Sequence, residues 1–177
     1  MLPRAPSLVA GHGRAALLTE DGELLTLPAA EMLARLKKLR PPLLVHAPAT
    51  FRRLGMKGGA PALDLLELFA FVLPARPVAP TPRGLALALD LKPPTTLEEA
   101  AAILPDIAAT LLHRMHAAGA VPLNAQAAGI ADRMGRAGWH WAPAIRAALP
   151  PPTLSPDAAP GLEGFKPWRR LPEWEEA

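Results

Sequence analysis

The sequence contains no cysteine. That excludes disulfides and thiolate-based metal or redox centres, and it fits a reducing, cytoplasmic setting. Serine occurs only at Ser7 and Ser155. Neither lies in a nucleophile elbow, so hydrolysis by a Ser-His-Asp triad has no support. The Gly-Lys-Ser/Thr ending of a phosphate loop is missing, since Gly55-Met56-Lys57-Gly58-Gly59 carries only the lysine. An ATPase or kinase of that class is therefore not expected within these residues. Gly11-His12-Gly13 lacks the third glycine and the following helix of a dinucleotide fingerprint, and reads as a hairpin or bulge. No apolar h-region follows Met1-Leu2-Pro3-Arg4-Ala5-Pro6, and proline or charge breaks every run before it reaches membrane-span length. There is no internal repeat.

What is present is apolar. Half of the 177 residues are hydrophobic, enough for a core without staples. Lys and Arg exceed Asp and Glu by only 19 to 16, a balance compatible with nucleic acid but not requiring it. The 23 prolines cluster where elements should end. The densest apolar run is 62–74, interrupted only by Asp64 and Glu67. It predicts a helix covered on nearly all sides, with Leu66 and Phe69 buried.

In chain order, 7–10, 15–19 and 23–27 read as two or three antiparallel strands, with Asp21-Gly22 in a tight turn. A helix is expected over 28–39, from the Met32, Leu33, Leu36 and Leu39 stripe. Leu43 to Ala47 reads as a buried central strand, and Thr50 to Leu54 as a helical turn. Thr81 and Thr96 are candidate caps of two later helices, the second with Glu99 completing a capping box. That second helix spans 97 to about 118. Further helices are expected over 124–136 and 144–149. The composition then shifts to Pro, Ala, Ser and Asp, which reads as a linker over 150–164. The domain expectation is thus an α/β domain over 1–149, that linker, and an aromatic tail over 165–177. Trp168 and Trp174 of the tail are expected to pack back on the domain near Trp139 or Trp141.

Candidate chemistry is sparse. Asp64 and Glu67 are a metal-binding carboxylate pair, or the single wet stripe of a buried helix, or Asp64 caps that helix. His113 and His116 lie three apart, as metal ligands can, but no carboxylate stands near them in sequence. Trp139 and Trp141 suit either base stacking or a hydrophobic clasp.

The run Leu43-Leu44-Val45-His46-Ala47, followed by Asp64-Leu65-Leu66-Glu67-Leu68, a helix ending Leu89-Asp90-Leu91 and a long helix with Asp106, resembles the proofreading-type 3′–5′ exonucleases. Asp64 to Phe71, Pro80-Thr81-Pro82-Arg83-Gly84-Leu85 and the closing Leu171-Pro172-Glu173-Trp174-Glu175-Glu176 are similar to the N-terminal region of α-proteobacterial DinG-type ATP-dependent DNA helicases. The resemblance covers nearly the whole chain. It implies a ribonuclease H-like α/β domain, with a small mixed sheet flanked by helices. It also implies a covalently linked helicase core beyond residue 177, which would carry ATP and an iron–sulfur cluster, and DNA as partner.

The family holds two metal ions with about four carboxylates. Here Val9-Ala10-Gly11-His12-Gly13 stands where its first acidic motif belongs. Ala47 follows His46 in place of Asn, Phe51 replaces the next Asp, and Ala101 occupies the position of a His five before Asp106. Only Asp106 carries over. The expectation is a non-catalytic module without cofactor, which guides nucleic acid or positions the motor. Arg52, Arg53, Lys57 and Arg83 are its candidate phosphate contacts. Two alternatives stay open: a Mg²⁺-dependent exonuclease using Asp64, Glu67 and Asp106, and a pure protein-interaction domain.

Overall fold

The computed structural model describes residues 2–117 and 122–149. The expected linker and aromatic tail, with the docking of Trp168 and Trp174, lie outside the described residues. The chain divides after Leu111 into two compact units.

The first unit is built on a five-stranded mixed sheet. Strands β1 (Ser7–Ala10), β2 (Arg14–Leu18) and β3 (Leu24–Pro28) form an antiparallel meander. Helix α1 (Ala29–Leu36) then crosses over to β4 (Leu43–Leu44), which pairs parallel to β1. Helix α2 (Ala47–Arg53) leads on to β5 (Leu63–Asp64), parallel to β4. The order is β3-β2-β1-β4-β5, and β2 alone runs against the rest. After the sheet come α3 (Leu65–Val72), α4 (Pro82–Ala88) and α5 (Leu97–Ala117). The general α/β class with a small mixed sheet flanked by helices is therefore as expected.

Alternation along the strands explains the core. On one face Leu8, Ala10, Ala15, Leu17 and Leu44 meet Met32 of α1 and Phe51 of α2. On the other face Ser7 of β1 and Ala16 of β2 are also buried, so these two strands are covered on both sides. The end of α5 that faces the sheet is tied to it. The Thr26 hydroxyl of β3 donates to the Glu98 carboxylate at 2.7 Å. The β2–β3 turn closes as Asp21-Gly22 predicts, with Gly22 N–H donating to the Thr19 carbonyl at 3.0 Å and φ +87° at Gly22.

Five expectations need correction. The strand expected over 43–47 is only Leu43–Leu44, and α2 begins at Ala47 rather than Thr50. The helix expected over 62–74 is a strand at 63–64 followed by α3. Nor is α3 covered all round. Leu65, Leu68 and Phe69 are buried, Leu66 is half-buried, and Glu67 and Ala70 are exposed. The reason is position: α3 follows the edge strand β5, so it has sheet on one side only. The first helix is also shorter than its apolar stripe, ending at Leu36 with Leu39 exposed.

The second unit contains the end of α5, then α6 (Pro122–Arg136) and α7 (Ala142–Ala148). Its largest fully buried side chain is Trp141, accompanied by Ile145, Ala142 and Ala148. His116 Nδ1 lies 3.0 Å from the Ala148 carbonyl, linking α5 to α7. Among the described residues no helix is long and apolar enough to cross a membrane.

Candidate functional site

In an open sheet, ligands favour the carboxyl ends of the strands where successive connections diverge. Here β1 turns back into β2 on one side, while β4 continues through α2 to β5 on the other. The divergence lies between the ends of β1 and β4, at Ala10–Gly11 and Val45–His46.

At the β1 end, Gly11 N–H donates to the Arg14 carbonyl at 2.8 Å, closing a hairpin over His12 and Gly13. Gly11-His12-Gly13 is thus a strand turn, with His12 and Arg14 exposed. At the β4 end, His46 adopts a left-handed conformation, φ 60° and ψ 75°, uncommon for a side chain with a Cβ. Its own side chain does not cap α2. Asp64 supplies the cap instead. The Leu44–Asp64 register places this carboxylate beside the β4–α2 turn. Oδ1 accepts the His46 N–H at 2.9 Å, and Oδ2 accepts the Ala47 N–H at 2.7 Å. Oδ1 also accepts the Leu66 N–H at 2.9 Å, so the same group is the N-cap of α3.

One buried carboxylate, 4 % exposed, therefore stands at the positive ends of two helices. It also removes the His46 and Ala47 amides from the strand ladder. The cap reading of Asp64 is the one its geometry matches.

The other acidic candidates are placed differently. Glu67 is on the exposed face of α3, one turn after the cap, and Asp106 is exposed on α5. Among the described residues no three His, Asp or Glu side chains form a group able to hold a metal ion, so Asp64, Glu67 and Asp106 are not assembled into one. The described residues do not fit a two-metal centre. Positions that the family resemblance would make functional are core instead. Phe51 is 2 % exposed within the sheet–helix cluster, and Ala101 is fully buried on α5. Five residues apart on a helix, Ala101 and Asp106 point in widely different directions.

The cationic candidates are exposed. Arg52 and Arg53 end α2, and Lys57 sits in the turn that follows. Arg53 Nη1 donates to the Ala10 carbonyl at 3.3 Å, which brings Arg53 to the end of β1. Arg83 stands on a different helix, α4, and donates to the Pro94 carbonyl at 3.3 Å. Of the four, only Arg53 has a contact with the end of β1; Arg52 is its neighbour on α2 and Lys57 follows that helix.

In the second unit, His113 and His116 are exposed near the end of α5. Trp141 is buried, the clasp reading, whereas Trp139 is only half-buried. Arg136 and Arg146 beside Trp139 were not singled out by sequence. Their signal was weak, since they are separated by the whole α6–α7 turn. Among the described residues two carboxylates are held below their ordinary range. Thr26 lowers Glu98, and the Thr95 N–H and hydroxyl lower Glu99. Both serve the start of α5, where the Thr96 hydroxyl also accepts the Glu99 N–H at 3.1 Å.

Comparison with family models, curated proteins and solved structures gave no match.

Proposed function

We propose that this chain is a non-catalytic, ribonuclease H-like module that guides single-stranded nucleic acid, as the N-terminal accessory region of a DinG-type ATP-dependent DNA helicase. The observation that carries the guiding role is the Arg53–Ala10 contact. It holds Arg53 at the end of β1, where a ligand on such a sheet is expected, and Arg52 and Lys57 stand close to Arg53 in sequence. Support for the finer fold comes from the small mixed sheet flanked by helices, which is what the family resemblance implies. Support for a non-catalytic role comes from the chemistry of the same strand ends. The β1 end carries Gly11, His12 and Gly13, and the one buried carboxylate nearby, Asp64, caps two helices.

The test is salt-dependent binding of a fluorescent oligo-dT by the purified chain. Replacing Arg52, Arg53 and Lys57 together by Ala should make the slope of log K against log salt less steep by roughly 2, at about 0.7 per lost phosphate contact. An unchanged slope would remove the α2 cations from the interface. The link to a helicase is tested separately, by whether the chain is expressed as one polypeptide with a motor bearing a phosphate loop.

A further inference from the structure

The hollow at the α6–α7 turn is built by glycine. Helix α6 ends in a paired reversal, in which Trp139 N–H donates to the Met134 carbonyl at 2.9 Å and Gly138 N–H to the Gly135 carbonyl at 3.0 Å. Gly138 has φ +94°, the left-handed residue such an ending demands. At Gly135 a Cβ would come within 2.6 Å of the Ala142 Cβ, so only glycine lets α7 start this close to α6. The turn thereby leaves Trp139 and His140 lining a hollow, while Trp141 goes into the core. What results is an open hollow of about 420 Å³, with Trp139, His140, Arg136 and Arg146 among its lining residues. Asp132 also lines it and pairs with Arg146, holding that guanidinium on the wall.

We infer that this hollow binds one nucleotide of a single strand, with a base stacked on the Trp139 indole and the adjoining phosphate held by Arg136 and Arg146. The inference rests on the nucleic-acid reading above and adds a second contact point, in the second unit. An aromatic ring flanked by guanidinium groups is the usual sequence-tolerant platform for unpaired bases. Two arginines outweigh the single Asp132, so the hollow favours an anion even with the ion pair in place. A base inside a duplex cannot reach a ring set in a hollow without being flipped out, so the partner is single-stranded.

The experiment uses the full chain and a fluorescent oligo-dT. Trp139→Ala should weaken binding roughly tenfold, the worth of one stacked base, while Trp139→Phe keeps most of it. In parallel, an oligonucleotide carrying 5-iodouracil is photo-crosslinked to the wild-type chain, and the adduct should map to Trp139. This second arm needs no variant and decides the matter if Trp139→Ala misfolds. Wild-type affinity in a folded Trp139→Ala, or adducts that map only to residues of the first unit, would overturn the hollow and leave the guiding role intact. Absence of any oligonucleotide binding by the wild-type chain would overturn both.

Discussion

Asp64 is the residue on which most local structure turns. Its carboxylate accepts three backbone N–H groups from two helices and a strand end. Asp64→Ala should lower unfolding stability by roughly 2–4 kcal/mol, since a cap and charge-assisted bonds to otherwise orphaned amides are lost together. Asp64→Asn should recover only part, because its amide puts a donor against the Ala47 N–H. Chemical denaturation of the three proteins checks this, and equal stability of all three would refute it. Ser7 is the converse case. Its hydroxyl is, among the described residues, the buried side-chain polar atom without a partner. Ser7→Ala should therefore leave stability unchanged or raise it, by up to about 1 kcal/mol. A clear loss in the same denaturation measurement would show that the hydroxyl is satisfied in solution. The capping role of Asp64 was legible as one of three readings of the sequence. Its hold on His46 and Ala47 was not, because it depends on strand register across 17 and 18 residues.

At the scale of elements, propensity placed most of them and tertiary contacts moved their ends. The meander and the caps at Thr81 and Thr96 were readable because turn and cap residues act locally. Strand β5 was hidden inside a helical-looking run, since two residues of strand pairing leave no periodicity. The same correction shifts the packing expectation for α3. Leu68→Ala, at a fully buried site, should cost roughly 2–5 kcal/mol, and the half-buried Leu66→Ala should cost less. Thermal melts that reverse this ranking would contradict the placement of α3. The start of α5 carries a pH dependence. Glu98 and Glu99 are held below the ordinary value of 4.5 in the folded chain, by Thr26 and Thr95 respectively. Their contribution is thus present above about pH 4.5 and is lost as pH falls through the lowered folded values. A Glu98→Ala, Glu99→Ala variant should melt below the wild type at pH 7, with the gap closing in acid. A gap that stays constant with pH would show that these carboxylates are not linked to folding.

For the whole molecule, composition and order of elements indicated an α/β fold with a mixed sheet, and that is what forms. The division after Leu111 was not legible, because it falls inside one continuous helix, where no proline- or glycine-rich linker marks it. The candidate site was half legible. Arg52, Arg53 and Lys57 are close in sequence, but the contact of Arg53 with the β1 end joins residues 43 apart and could not be read locally. Under the proposed function the end of β1 presents Arg53 and, among the described residues, no metal-holding carboxylate cluster, so the expected outcome is binding without cleavage.

The direct measurement is incubation of a labelled single-stranded DNA with the purified chain in Mg²⁺ or Mn²⁺, following anisotropy and then strand length on a denaturing gel. The account predicts a salt-sensitive rise in anisotropy and a strand of undiminished length. Shortening of the strand that is abolished by Asp106→Ala, or a flat anisotropy at low salt, would contradict it.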